Sequence, residues 1–284
     1  MHNERILITG SKGFIGQHLL KRWDQWAPYE INRGTPWIEE DLRRWNPGII
    51  FHLAAAGSKK GSYTEEEIYK TNLLGTWELL KATRDIPYRA FINFGSSSEY
   101  GIKDKPMRED DVLEPNFFYA ATKAAATQLA RNEAIENHKP VVTVRPFTIY
   151  GPSMPETKLI PTLFRKLKNG EPVRLVKGNH DYLYIDDFLD ALELVVKNTS
   201  ELSGQAINIG SGQQTSNYDI ATLVSEVTGK GISNIIEVDR LHDHGHAEVD
   251  SLNWKANINT LRTLGWKPKV SLREGLTRIY ETVK

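Results

Sequence analysis

Two hydrophobic rhythms alternate along the first half of the chain. Short runs such as Ile6-Leu7-Ile8 and Gly48-Ile49-Ile50-Phe51-His52-Leu53 place apolar residues on consecutive positions, as a strand buried on both faces requires. Between them, apolar residues recur every three or four positions, the spacing of one helix face. The pattern predicts an opening strand from Ile6 and further strands over Pro28–Asn32, Gly48–Leu53, Arg89–Phe94 and Val141–Val144. Helices are predicted near Ile38–Trp45, Thr64–Ala82 and Phe117–Asn137. Such an alternation implies an α/β, Rossmann-type doubly wound parallel sheet, with ligand chemistry at the carboxyl ends of its strands.

From Gly151 the elements become shorter and mixed. Helices are expected at Thr157–Lys168, Asp186–Lys197 and Asn217–Thr228, strands at Pro172–Val176 and Ala206–Ile209, an irregular stretch over Ile235–Asn253, and a final helix. The economical division is a first domain of residues 1–151 and a smaller α/β lobe of residues 152–284, some segments of which return to the first sheet.

The first strand runs into Thr9-Gly10-Ser11-Lys12-Gly13-Phe14-Ile15-Gly16. Glycines suit a turn where the backbone bends sharply and approaches a ligand with no Cβ in the way. The helix that follows offers unpaired N–H groups and the positive end of its dipole to a pyrophosphate. A glycine turn can also bind nothing; its place between the first strand and the first helix is what points to a dinucleotide.

Composition narrows the choice of partners. Lys plus Arg and Asp plus Glu number 36 each, so no basic field marks a nucleic-acid or membrane-surface binder. Cysteine is absent from all 284 residues, which excludes disulfides, thiolate catalysis and cysteine-ligated metals. The first strand begins directly after Glu4 and Arg5, and no apolar stretch has the length of a membrane span. A cytoplasmic protein is the expectation.

Candidate chemistry lies further on. Tyr119 and Lys123 are four apart on a predicted helix and so project from one face. An ammonium beside a phenol favours the phenolate and lowers its pKa toward a value useful for proton transfer. The strand ending at Phe94 delivers Gly95-Ser96-Ser97-Ser98-Glu99-Tyr100-Gly101 at its carboxyl end. A serine hydroxyl there could hydrogen-bond a carbonyl oxygen beside the tyrosine, or merely form a turn or helix cap.

Taken together, these residues resemble an extended short-chain dehydrogenase/reductase of the NAD-dependent epimerase/dehydratase family, over nearly the whole chain. Thr9 to Gly16 fits the family's nucleotide turn, His52-Leu53-Ala54-Ala55 its contact after the third strand, and Asn72 its helix asparagine. Ser96 stands where the family has its active-site Ser/Thr, and Tyr119 and Lys123 form its YxxxK pair. Arg145-Pro146, Tyr150-Gly151-Pro152, Asp181 to Asp187 and Leu264-Gly265-Trp266-Lys267-Pro268 follow in order. The resemblance implies that Gly10, Lys12, Gly13, Phe14, Ile15, Gly16, Asn32, Arg33, Leu53, Ala54, Ala55 and Asn72 bind the cofactor, together with Tyr119 and Lys123. It implies that Tyr119 exchanges a proton with substrate, that Lys123 lowers the Tyr119 pKa and binds the nicotinamide ribose, and that Ser96 holds the substrate oxygen. It further implies a homodimer built on the helices at 64–82 and 117–137.

Departures from the family pattern narrow the reaction. The Asp-Glu pair that follows the active-site threonine in 4,6-dehydratases is replaced by Ser97 and Ser98, and Glu99 stands one residue too far on. Dehydration is therefore disfavoured. Asn32 replaces the acidic residue that clasps the adenosine ribose of NAD, and Arg33 could pair with a 2′-phosphate, so NADP(H) is preferred and NAD(H) is the alternative. The short stretch from Arg33 to Pro47 resembles the family's nucleotide-sugar 4-ketoreductases, such as CDP-paratose and CDP-abequose synthases. Thr148 and His180 replace an asparagine and an arginine expected at the nucleotide sugar, and His242-Asp243-His244-Gly245-His246 stands where a second arginine is expected. Ser97, Ser98, Thr148, His180 and His244 are the substrate candidates. The three histidines lack a fourth ligand, so no metal is expected.

The reading is an NADPH-dependent reductase of a 4-keto sugar nucleotide. A nucleotide-sugar 4-epimerase with tightly held NAD is the alternative, and a non-catalytic dinucleotide sensor the reading from another class.

Overall fold

The computed structural model describes residues 5–24, 28–32, 39–57, 61–231, 235–238 and 253–283. The chain opens with β1 (Ile6–Thr9), α1 (Phe14–Arg22), β2 (Tyr29–Ile31), α2 (Glu39–Trp45) and β3 (Ile49–His52). After α3 (Glu65–Tyr69) and α4 (Gly75–Thr83) come β4 (Ala90–Phe94), α5 (Phe118–Glu136) and β5 (Val141–Pro146). The later elements are β6 (Thr148–Tyr150), α6 (Leu159–Lys168), β7 (Val173–Val176), β8 (Asn179–His180), β9 (Tyr182–Tyr184), α7 (Ile185–Lys197), α8 (Thr199–Leu202), β10 (Ala206–Ile209), β11 (Thr215–Ser216), α9 (Asn217–Thr228), β12 (Ile235–Val238), α10 (Asn259–Thr263) and α11 (Leu272–Val283).

The main sheet has the order β10-β5-β4-β3-β1-β2. β1 pairs in parallel with both β2 and β3, and parallel pairing continues from β3 to β4 and from β4 to β5. The chain thus runs outward from β1 in one direction to β2 and in the other from β3 onward. The carboxyl ends of β1 and β3 flank this reversal, where doubly wound sheets take their ligands. Every residue of β1, β3 and β4 is buried, which explains their unbroken apolar runs. Leu7, Leu42, Ile50, Leu79, Leu80 and Phe91 fill one core cluster beside the sheet. No helix among the described residues is long and apolar enough to cross a membrane.

The chain divides into two compact units, the first made of residues 1–101, 111–146 and 189–208, the second of 102–110, 147–188 and 209–284. The first unit is left after Pro146 rather than at 151, because β5 runs on to Pro146 and is followed at once by β6, which pairs with β9. β10 joins the main sheet from the later half of the chain. In the second unit β7 pairs with β12, β8 with β11, and α6 buries Ile160, Leu163, Phe164 and Leu167.

Two expectations need correction. Residues 64–82 do not form one regular helix: a π-helical turn, Lys70–Leu74, separates α3 from α4. Ile235–Val238 is a strand rather than irregular, since three β-branched residues in four suit pairing with β7.

Candidate active site

The glycine turn is built by close backbone approach. Gly10 has a φ of 73°, and a Cβ there would lie 2.9 Å from the Ala54 nitrogen at the end of β3. A Cβ on Gly16 would lie 2.5 Å from the Gly10 carbonyl oxygen and 2.7 Å from Ser11 Cα, so α1 rests directly on the turn. Gly13 caps α1 without any side-chain hydrogen bond, and Lys12 and Gly13 are exposed. Main-chain N–H groups of the first turn, at Phe14, Ile15 and Gly16, are therefore available to an anion. Leu53, Ala54 and Ala55 follow β3 on the other side of the reversal, with Ala55 exposed. These groups make a cradle that any side chain would fill, and they fit a dinucleotide. Substituting Gly16→Ala should lower stability by about 1–3 kcal/mol through overpacking and weaken dinucleotide binding with it. Urea denaturation and a fluorescence titration with the dinucleotide would check this, and no change in either would contradict it.

Asn32 braces the turn from β2. Its Oδ1 accepts from the Lys12 N–H at 3.1 Å, and its Nδ2 donates to Ser11 Oγ at 2.8 Å. Ser11 donates in turn to Glu30 at 2.5 Å, a partner the sequence did not reveal. Arg33 lies outside the described residues.

A row of hydrogen bonds links the ends of β1 and β3 to the helices behind. The Ala54 N–H donates to Thr9 Oγ1 at 3.2 Å, Thr9 Oγ1 meets His52 Nδ1 at 2.7 Å, and His52 Nε2 meets Thr76 Oγ1 at 2.9 Å. Thr76 spends its only proton on the Asn72 carbonyl at 2.6 Å. Thr76 must therefore accept from His52, which places the ring proton on Nε2 and makes Nδ1 the acceptor of Thr9. Burial, reinforced by the charge of Lys123, pushes His52 down to about 3.

Asn72 is fully buried in the π-helical turn. Its Oδ1 accepts from the Ala56 N–H at 2.7 Å, and its Nδ2 donates to the Ala56 carbonyl at 2.9 Å and to Thr122 Oγ1 at 3.0 Å. Both amide protons are committed to the protein, so the expected cofactor contact becomes a brace between the loop after β3 and α5. The extra residue of a π turn explains the departure from a regular helix, as it lets Asn72 face inward.

Ser96, Tyr119 and Lys123 do come together in the first unit. Ser96 ends the stretch after β4 and caps the 3₁₀ turn Ser97–Tyr100, and its hydroxyl lies close enough to Tyr119 to lower the phenol's pKa. Ser96 Oγ also lies 2.7 Å from Ser98 Oγ and accepts from the Ser98 N–H at 3.2 Å. The Tyr119 ring stacks on Phe117 at 6.1 Å. Lys123 is 2% exposed, and no hydrogen bond or ion pair engages its Nζ among the described residues.

The electrostatics reverse one expectation. Burial pushes the Tyr119 phenol up to about 12; nearby Ser96 draws it down, and the Glu99 charge adds to the rise. Burial also pushes Lys123 down to about 8, with Glu99 opposing. Burial is thus the larger influence on both groups, and on Tyr119 it acts in the direction opposite to a neighbouring ammonium.

The structure turns Glu99 inward. Its Oε1 accepts from the Ser96 N–H at 2.8 Å and Thr127 Oγ1 at 3.0 Å, while Oε2 accepts from Arg145 Nε at 2.9 Å. Arg145 donates further to the Tyr100 hydroxyl at 2.8 Å, which donates to Asn208 at 2.7 Å. The Ser-x-x-Glu spacing of a capping box is the sequence signal that could have found this arrangement. Ser97 and Ser98, the substrate candidates beside it, are both buried.

In the second unit Thr148 is half-buried on β6, its N–H donating to the Asp181 carbonyl at 2.9 Å. His180 is half-buried on β8 opposite Thr215, its ring edge-on to Tyr182 at 5.7 Å. Asp181, the first residue of the motif Asp181 to Asp187, is a brace: its carboxylate accepts from the Ser211, Gly212 and Ala256 N–H groups at 2.6, 2.9 and 3.0 Å. His244 and its neighbours lie outside the described residues. Among the described residues no group of three His, Asp or Glu could hold a metal.

Residues 6–210 match the profile of the NAD dependent epimerase/dehydratase family. The chain therefore belongs to this family and is an NAD(P)-dependent oxidoreductase or epimerase of the extended short-chain dehydrogenase/reductase type. It is 29% identical to the low-salt glycan biosynthesis protein Agl12 of Haloferax volcanii, covering 95% of this chain and 96% of that protein. A probable UDP-glucuronate 4-epimerase of Rhizobium meliloti is 27% identical, with 98% of this chain and 96% of the relative covered. Among solved structures, MoeE5 in complex with UDP-glucuronic acid and NAD superimposes with a TM-score of 0.85 at 27% identity, covering 98% of this chain and 99% of the other.

Proposed function

We propose that the protein is a nucleotide-sugar 4-epimerase that keeps NAD bound through its cycle. The observation that carries the reading is the approach of Ser96 to Tyr119 beside a buried Lys123, with the Glu99 carboxylate held by Arg145. Glu99 faces Arg145 and Ser97 and Ser98 are neutral, so none of the residues of this turn stands ready to expel a hydroxyl, which disfavours dehydration.

In this reading the turn from Gly10 to Gly16 receives the pyrophosphate, and Lys123 Nζ, which no hydrogen bond engages among the described residues, binds the ribose of the nicotinamide. The bound dinucleotide supplies reversible hydride acceptance at the sugar carbon. Ser96 holds the sugar oxygen and Tyr119 takes its proton, then returns it after the sugar has turned its other face. Ser97 and Ser98 line the same turn and contact the sugar.

Epimerisation is preferred over ketoreduction because the relatives include a probable UDP-glucuronate 4-epimerase and a protein bound to UDP-glucuronic acid and NAD. NAD is preferred over NADP(H) for a related reason. The case for a 2′-phosphate rests on Arg33 alone, since the Asn32 carboxamide is engaged by Ser11 and Lys12.

Freshly purified protein should carry NAD and convert UDP-glucuronate to its 4-epimer without added NADPH, as read by NMR. Protein that arrives empty, epimerises none of a panel of nucleotide sugars, and consumes NADPH on a 4-keto sugar nucleotide would sink this reading in favour of the reductase.

A further inference from the structure

A buried carboxylate is expensive, and Glu99 is wholly buried in the first unit. The fold makes room for it: a Cβ on Gly95 would lie 2.4 Å from Glu99 Oε1. Both carboxylate oxygens only accept, from the Ser96 main chain, from Thr127 one helical turn beyond Lys123, and from Arg145. The Arg145 guanidinium is fixed in turn by Tyr100, lying over that ring at 4.6 Å as well as bonding its hydroxyl. A purely structural plug at this point could be apolar at no cost in stability.

We propose that Glu99 is a positioning residue of the proton-transfer site, serving as the counter-charge of Lys123 and the anchor of the Ser96 main chain. It touches neither substrate nor cofactor. Four groups set the charge around Lys123: Tyr119 on its own helix, His52 from β3, Glu99 from the 3₁₀ turn, and Arg145 from β5 acting through Glu99. His52 is neutral and the phenol un-ionised, and of the Glu99–Arg145 pair it is Glu99 whose charge acts on Lys123. Glu99 is thus the charge that opposes the loss of the Lys123 proton, consistent with the direction of its effect. Burial pushes the Glu99 carboxyl above the usual range, while Arg145, the Ser96 N–H and Lys123 pull it back. An acceptor-only hydrogen-bond pattern is that of the ionised form.

The inference rests on the Ser96, Tyr119 and Lys123 assignment of the proposed function, but its test needs no substrate. Isotope-labelled lysine side chains can be titrated by NMR, with the Lys123 resonance assigned from Lys123→Met. In Glu99→Gln the Lys123 titration should move down by about one pH unit or more. The substitution keeps the acceptor for Ser96 and Thr127, so lost packing alone would not move it. If Glu99→Gln folds poorly around the orphaned Arg145, the double variant Glu99→Gln with Arg145→Met removes both charges, and the downward shift should persist there. An unmoved Lys123 titration in a folded variant would overturn the proposal. Inactivity of the native protein on every nucleotide sugar would instead count against the proposed function and leave this titration readable.

Discussion

Replacing Tyr119 by phenylalanine should cut turnover by about 100- to 10,000-fold, the span that a positioned proton donor contributes, with fold and dinucleotide affinity unchanged. The substitution removes one oxygen and keeps the ring that stacks on Phe117. It leaves Ser96 with its two contacts to Ser98 and its main-chain bond to Glu99. Loss of turnover in that variant therefore isolates the proton. Steady-state rates with UDP-glucuronate and calorimetric titration with NAD would check it. Near-native turnover would remove Tyr119 from the reaction and, with cofactor binding intact, favour a dinucleotide sensor.

The second large effect concerns stability. Arg145→Met should cost about 3–5 kcal/mol at neutral pH, because it strands a buried carboxylate. The Arg145 and Glu99 side chains are 3% and 0% exposed, so water cannot take over the lost contact. An unpaired buried carboxyl binds its proton at higher pH when folded than when unfolded, so the folded state gains ground as pH falls. The loss should be full above the raised Glu99 value, shrink through it, and vanish below the ordinary carboxylate range. Denaturation midpoints across that range would show it. The double variant carrying Glu99→Gln as well should recover most of the deficit even at neutral pH. A single variant as stable as the native protein would mean that the pair is not a buried ion pair in solution.

The sheet and the glycine turn were legible because each follows from steric rules that leave a trace in residue type. Buried parallel strands need unbroken apolar runs, and the approach of Gly10 to Ala54 and of Gly16 to Gly10 admits no Cβ. The Tyr119–Lys123 pair was legible as helical spacing. What it lacked was depth: burial sets the direction of both shifts. The π-helical turn was hidden, since an extra residue in a helix disturbs periodicity no more than an ordinary polar position does. Its purpose appears only through the partners of Asn72, one before it at Ala56 and one far along the chain at Thr122. The role of Glu99 is not legible from its register against an Asp-Glu pair, because it lies in the reciprocal capping of Ser96. The short strands β6, β8 and β9 are two or three residues long, too brief for any alternation to register.

The hydrogen-bond row from Ala54 to Asn72 begins at a main-chain N–H that can only give and ends at a carbonyl that can only receive. No member can reverse without leaving one end wrong, so the row is not a path along which a proton travels. With His52 un-ionised far below neutrality, it is also deaf to acidity. The loop after β3 and the turn that rests on it therefore keep their places while Lys123, a short way off, gains and loses its charge. The site can change its protonation state without its cofactor seat noticing.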